Sequence, residues 1–294
     1  MSKHWFYKFY YYIKYLLIEL CNTNCYVIQG FFPLNDKGKL GKYNLGDDLN
    51  LFMLPLITSA KIIPYQYSIL SHILKKNTYS CIGSIISSAD KNTIIWGSGA
   101  IDDSLRKDFD FKQICSVRGP LTRKLLLKNG YKCPEIYGDP ALLLSKYYRP
   151  NVQIKYKLGI IPHYVDLNNP ILRSINNSND ILVINFHEYE DWRNIIDQIL
   201  SCKFIISSSL HGLILSDSYN KPNIWCKFSD KIYGQDFKYK DYLLSVRRND
   251  NIEPFLYNKV YSMSSLLSLQ KLYTPPVVDY KSIIMSCPFI NNYE

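Results

Sequence analysis

The sequence has no Cys-x-x-Cys pair, no Gly-x-Gly-x-x-Gly, no Arg-rich arm and no unbroken apolar run long enough to cross a bilayer. Each absence removes a class of protein. Eight cysteines lie scattered at 21, 25, 81, 115, 133, 202, 226 and 287, and the Cys21/Cys25 pair has no second pair or histidine cluster to match it. A zinc site is therefore not expected, and the thiols read as reduced, in a cytoplasmic protein. Lacking the glycine fingerprint, the chain is not a dinucleotide-binding enzyme. With no basic arm and no RNA-binding signature, nucleic acid is excluded as the partner. No small-residue cleavage site follows the N-terminus, so no secretory leader is expected, and there is no short repeat or low-complexity tract.

What remains is a basic, tyrosine-rich α/β sequence. Its 294 residues are 47% hydrophobic, with 26 tyrosines, five histidines and a formal net charge of +10. The length suits two domains. The charge favours anionic partners: phosphorylated substrates or an anionic membrane surface. Residues 5–18 are aromatic and apolar, interrupted by Lys8 and Lys14. Too short to span a bilayer, the segment either lies in a membrane interface, where tyrosine and tryptophan rings are at home, or packs on the protein's own core.

Apolar strand-like runs at 25–31, 78–83, 93–96, 113–117 and 135–137 alternate with helix-like stretches at 47–57, 68–75 and 120–129. Pro120 and Gly130 mark the start and end of the last. A second series has strands at 158–162, 181–185, 204–207 and 223–225, with helices at 190–201 and 210–219 between them. Strands alternating with helices predict parallel sheets with crossover helices. Residues 144–156, with Pro150, read as the linker. The chain thus divides into an N-terminal helix (1–24), a first Rossmann-like domain (25–150), a second (151–260) facing it across a cleft, and a helical tail (261–294) packing back on the first.

The chemistry sits at the strand ends. Ser207-Ser208-Ser209-Leu210-His211-Gly212 follows a strand and opens a helix, aiming hydroxyls, free backbone N–H groups and an imidazole at one point. A helix N-terminus there is a natural anion site. His163 ends the first strand of the second series, at the equivalent position; a histidine there is an acid, a base or an anion ligand. Arg118, between a strand and a helix, has a guanidinium that either forks onto a ligand's carboxylate or phosphate or makes an ordinary salt bridge, and Arg123 lies one turn further on. Asn44, Gly46 and Asp47 occupy the turn after the first strand, where Asp47 is either a helix cap or a ligand contact. Gly97, Ser98 and Gly99 form a strand-to-loop turn that either brings backbone close to a substrate or simply turns the chain. Asp139, before Pro140, reads as a turn carboxylate capping the next segment.

Taken together, NLGDDLN at 44–50, WGSGA at 96–100, SVRGPLTRKLL at 116–126, GDPALLL at 138–144, IPHY at 161–164 and SSSLHGLILSDSYNKPNIW at 207–225 resemble the polysaccharide pyruvyl transferase family. The resemblance covers roughly residues 25–245, and NLGDDLN is similar to the branch that decorates bacterial exopolysaccharides and capsules. It implies a GT-B-like fold with the acceptor on the first domain and the donor on the second. It also implies transfer of the pyruvyl skeleton of phosphoenolpyruvate onto two sugar hydroxyls as a cyclic ketal, with release of phosphate. Under it, His163, His211 and Arg118 are the expected catalytic residues. Ser207, Ser208, Ser209, Gly212, Arg123, Asn44, Gly46, Asp47, Gly97, Ser98 and Gly99 are expected to bind substrate. No cofactor or metal is required. The acceptor fits a polyprenyl-pyrophosphate-linked glycan at the inner face of the plasma membrane. A GT-B glycosyltransferase using a nucleotide-sugar would hold its diphosphate at the same anion site. Residues 226–245 contain no Glu to meet a ribose, which weighs against that alternative. A non-catalytic assembly subunit would not need Arg118, His163 and His211.

Overall fold

The computed structural model describes residues 3–21, 24–35, 37–41, 43–175, 179–187, 189–248 and 253–289. In the first half, helix α1 (Lys3–Cys21) precedes β1 (Cys25–Ile28), α2 (Leu45–Phe52), α3 (Leu54–Thr58), β2 (Lys61–Pro64), α4 (Ile69–Leu74), β3 (Thr78–Ser80), β4 (Thr93–Trp96), β5 (Gln113–Ser116), α5 (Pro120–Lys128) and α6 (Leu144–Tyr147). The second half runs β6 (Tyr156–Ile161), α7 (Pro170–Ile175), β7 (Ile181–Val183), α8 (Trp192–Leu200), β8 (Cys202–Ser207), α9 (Leu210–Ser218), β9 (Asn223–Lys227), α10 (Phe237–Ser245) and β10 (Phe255–Leu256), then α11 (Met263–Ser268) and α12 (Tyr280–Met285).

These strands form two five-stranded parallel sheets, ordered β2-β1-β3-β4-β5 and β10-β9-β8-β6-β7. The architecture is mixed α/β, two Rossmann-like units in the GT-B-like arrangement that the sequence predicts. Central strands are buried on both faces, as parallel sheets require: every residue of β4 is buried. One hydrophobic cluster runs from Ile28, Leu45 and Trp96 of the first half to Ile161, Leu213 and Trp225 of the second. Helix α9 lies at its centre with all nine residues buried, its leucines and isoleucine in the core and its buried Asp217 paired with Arg248, Tyr242 and Asn223.

Local differences from the sequence reading have local causes. Strand β2 escapes pattern reading because it offers only Ile62 and Ile63 before Pro64 and sits at the sheet edge, where proline is tolerated. The helix expected over 47–57 breaks at Met53, and Pro55 stands in the first turn of α3. Residues 135–137 make only an isolated bridge from Tyr137 to Val117, since Gly138 turns away at φ +138°. The stretch read as a linker opens with α6, whose Leu144 is fully buried. In the tail, the Trp96 indole N–H donates to Ile283 O (3.0 Å) and Phe289 packs against Tyr26, Tyr79 and Trp96, so α12 lies on the first sheet.

Helix α1 packs one face on the protein's own core. Tyr11 and Tyr15 pack on Tyr67, and the buried Glu19 carboxylate accepts from Leu70 N and Ser68 Oγ at the start of α4. The opposite stripe, including Phe6, Phe9, Ile13, Leu17 and Leu20, faces outward.

Candidate functional site

The second-half wall is built from the ends of β6 and β8. Ser208 N donates to Ile161 O (3.0 Å), and His163 N donates to Ser208 Oγ (2.8 Å), so the two strand ends are laced together. Ser207 Oγ accepts from Ser209 N (3.0 Å) and lies 3.1 Å from Ile161 O. A Cβ on Gly212 would come within 2.2 Å of that hydroxyl. Thus Ser207, Ser208 and Gly212 shape the turn, whereas Ser209 lines the pocket itself. Ser209 caps α9 without a side-chain bond, leaving the helix's first N–H groups to the pocket, and His211 is the helix's second residue.

The first-half wall mirrors this with α2. Asn44 caps that helix, its Nδ2 donating to Asp47 Oδ2 (2.9 Å). Leu45 N donates across to Phe186 O (2.9 Å), which ties the helix start to the second half. Gly46 is what lets the two helices meet: a Cβ there would lie 2.1 Å from His211 Nδ1. The imidazole is therefore held between the N-termini of α2 and α9. Its Nε2 lies 3.9 Å from Asp139 Oδ2, and both atoms are buried without a hydrogen bond. Asp139 Oδ1 meanwhile accepts from Ala141 N (3.0 Å), the capping role read from the sequence. The remaining cation is Lys238, at the start of α10, buried and facing the pocket.

Burial sets the electrostatics. It pushes the His211 pKa down to about 3, aided by the charges of Arg118 and Lys238, and that of His163 down to about 3, aided by Lys238. It pushes Asp139 up to about 7 against the Ala141 N–H and Arg118, Asp48 up to about 7, and Asp47 up to about 6. Lys238 falls to about 8, through burial and then Arg118. The sequence suggests that the histidines titrate near neutrality. In the fold they are neutral imidazoles there, and the groups poised near pH 7 are Asp139, Asp48 and Lys238.

The cavity between these walls encloses about 220 Å³. Residues 71–230, more than half of the chain, match the family model for polysaccharide pyruvyl transferase. An uncharacterized protein, L143, of Acanthamoeba polyphaga mimivirus is 32% identical over 253 residues, covering 83% of this chain and 84% of that protein. The chain belongs to the polysaccharide pyruvyl transferase family. As a member it is a transferase, and the family points to pyruvyl transfer onto polysaccharide. The match takes in Arg118, Asp139, His163 and His211; Asn44, Asp47 and Lys238 lie outside it.

Several residues expected to touch substrate are instead committed to partners within the protein. Arg118 is fully buried: Nε donates to Asp241 Oδ2 (3.1 Å), NH1 to Ser84 Oγ and NH2 to Ala100 O (2.6 Å), so its fork is committed within the protein. It acts on the pocket through its charge, not through contact. Arg123 points away, its Nε on Cys133 O (3.2 Å). In the glycine turn, Gly97 has φ +83° and a Cβ there would lie 2.3 Å from Pro140 Cδ. Ser98 Oγ donates to Gly83 O (3.1 Å), and Gly99 leaves room for the Arg118 guanidinium. None of the three lines the pocket.

Lys238 and Asp241 are the site residues that sequence reading passes over. In the run Lys238-Tyr239-Lys240-Asp241-Tyr242 nothing separates the buried lysine from the half-buried Lys240 except helical phase: 238, 239, 241 and 242 are all buried. Among the described residues no group of three His, Cys, Asp or Glu could hold a metal, and no helix is long and apolar enough to cross a membrane.

Proposed function

We propose that the chain transfers the pyruvyl group of phosphoenolpyruvate onto two hydroxyls of a glycan, as a cyclic ketal, and releases phosphate. The observation that carries this reading is the convergence of the N-termini of α2 and α9 on one small pocket lined by His163, His211 and Lys238, with Asp139 buried 3.9 Å from the His211 imidazole. Phosphoenolpyruvate carries two anionic groups on three carbons. The α9 N-terminus and Lys238 suit its phosphate, and His163 suits its carboxylate or an attacking hydroxyl. At about 220 Å³ the pocket falls below the roughly 300–1,000 Å³ that drug-sized ligands occupy, which favours this donor over a nucleotide-sugar.

The chemistry follows from the proton inventory. Carbon C3 of the donor must take a proton to make C2 oxocarbenium-like. Asp139 carries that proton below about pH 7 and passes it through His211, whose basicity rises once a phosphate lies against it. A first sugar hydroxyl attacks C2 and gives its proton to the neutral His163. The C2–O bond to phosphate then breaks with its electron pair on phosphate, and the second hydroxyl closes the ketal. Of the two hydroxyl protons released, one replaces the proton consumed at C3 and the other leaves with phosphate. Residues 25–150 take the acceptor side and 151–260 the donor side.

The acceptor fits a polyprenyl-pyrophosphate-linked glycan at the inner face of the plasma membrane. The outward stripe of α1, aromatic and set in a basic chain, supports a peripheral contact there. Replacing Phe6, Leu17 and Leu20 together by Ser tests that contact while sparing the packed face; unchanged binding to anionic vesicles rejects it. For the reaction itself, the decisive assay is phosphate release from phosphoenolpyruvate with lipid-linked oligosaccharides, together with the mass gained by the acceptor. Turnover with a nucleotide-sugar and none with phosphoenolpyruvate would overturn the proposal.

A further inference from the structure

A second cavity, of about 740 Å³, opens beside the pocket. One wall is the loop after β4, with Asp102 and Asp103, and the start of α5; the other is the loop 230–237 between β9 and α10. Tyr233 lines both cavities and is 71% exposed. Its loop is anchored, not loose. Ile232 beside it is buried, and Lys227 Nζ holds the Asp236 carboxylate at 2.6 Å. Gly234 has φ +77°, and a Cβ there would lie 2.2 Å from Ile101 O, so the loop is pressed against the first half at a point only glycine permits.

An aromatic ring on a fixed turn between two cavities is placed to contact whatever enters either one. The charge of the groove narrows it. Four carboxylates (Asp102, Asp103, Asp230, Asp236) stand against Lys231, Lys240 and the Lys227 ammonium paired with Asp236, which leaves the groove at −1 within a chain of +10. Such a groove disfavours phosphates and other anions, the opposite of the pocket next door. Carboxylates that only accept, beside an amphipathic ring, suit a neutral polyhydroxylated ligand. Sugar hydroxyls donate to the carboxylates and the C–H face of the ring lies on the aromatic.

We propose that this groove holds the acceptor glycan, one of its sugar rings stacked on Tyr233 so that the reacting hydroxyls enter the pocket beside His163 and His211. The identity of the reacting step rests on the pyruvyl-transfer reading; the glycan site does not. The test titrates a panel of neutral oligosaccharides into the full chain by ligand-observed NMR without donor, and phosphoenolpyruvate separately by calorimetry. Tyr233→Ala should weaken glycan binding by about tenfold or more, the effect of losing an aromatic anchor, and cost phosphoenolpyruvate much less, since Lys238 and the α9 N-terminus hold the donor's anions. Tyr233→Phe, which keeps the ring, should bind glycan as the natural chain does. The site is overturned if the natural chain binds no oligosaccharide of the panel, if Tyr233→Ala binds glycan unchanged, or if it loses only phosphoenolpyruvate. Glycan binding through Tyr233 without phosphoenolpyruvate turnover would instead sink the reaction and leave this site standing.

Discussion

The two halves of the molecule bring the same device to the pocket, a helix N-terminus after a parallel strand, yet they load it with opposite chemistry. The first half supplies Asp47 to the lining, with Asp48 and Asp139 buried off it, carboxyl groups whose pKa values burial raises to about 6 or 7. The second supplies His163, His211 and Lys238, whose pKa values burial lowers. Low dielectric favours the neutral form of every group, so near pH 7 Asp139 and Asp48 keep much of their proton and the two imidazoles do without, while Lys238, lowered only to about 8, stays a cation. Joined, the halves give a proton on Asp139 and a vacant imidazole 3.9 Å away.

The harshest way to break that pairing is to cut the ion pair that joins the halves. Arg118 of the first half meets Asp241 of the second, and Thr122 adds two bonds to the same carboxylate, from its N (2.9 Å) and Oγ1 (2.7 Å). Arg118→Ala should cost about 3–5 kcal/mol in urea unfolding, because Asp241 stays buried without its cation. A loss below about 1 kcal/mol would mean that water reaches the carboxylate. Inactivity of this variant therefore reports on the fold before it reports on substrate.

Asp139→Asn tests the proton itself. Asparagine keeps the cap on Ala141 and has no proton to give. Turnover should fall about 10²–10⁴-fold. The natural enzyme should lose activity as pH rises through about 7, when Asp139 ionises; the residual activity of the variant should lack that limb and decline only near 8, with Lys238. Stability carries the same signature. The folded Asp139 holds its proton from its usual 3.8 up to about 7, so it makes the natural fold progressively less stable as pH rises across that window. The melting temperature of Asp139→Asn relative to the natural chain should climb over the same range. A pH-independent difference would remove Asp139 from the proton path.

Lys238→Met is gentler, since methionine fills the buried stem and removes only charge. Donor KM should rise by about tenfold, with kcat changed less, if the lysine binds an anion that is equally charged before and during reaction. Because its charge helps hold both imidazoles down, His163 and His211 should also titrate closer to 6.5 in the variant, which NMR of the imidazole protons would follow.

Much of this is legible in the sequence, and the boundary is physical. Strand-helix alternation and the residues at strand ends are local properties, so the α/β fold, His163, His211 and the Asn44–Asp47 turn can be read from neighbours along the chain. Arg118 marks where that stops. Its position at a strand end is local, but its partner Asp241 lies 123 residues away, and only packing shows that the guanidinium is spent. Likewise the pKa of a histidine depends on what buries it. Nothing within a few residues of His211 announces Asp139 or Lys238, so its neutrality could not be anticipated.

Tyr189→Phe is the smallest change and bears on whether burial alone sets the first-half carboxylates. The phenol lies 3.0 Å from Asp48 Oδ2 and 3.1 Å from Gly41 O, reaching from the second half to the first. Asp48 Oδ2 also accepts from Tyr43 N (3.0 Å) and Asn44 N (3.1 Å), so it keeps two donors when the hydroxyl goes. The expected cost is about 1 kcal/mol, that of one hydrogen bond. Its pH dependence is the informative part. The lost bond favours the ionised carboxylate, so the penalty should be slight at pH 5, where Asp48 is protonated, and grow as pH passes about 7. A penalty equal at both pH values would mean that the phenol donates to Gly41 O. Burial and the backbone N–H groups would then hold Asp48 without help from the opposite wall.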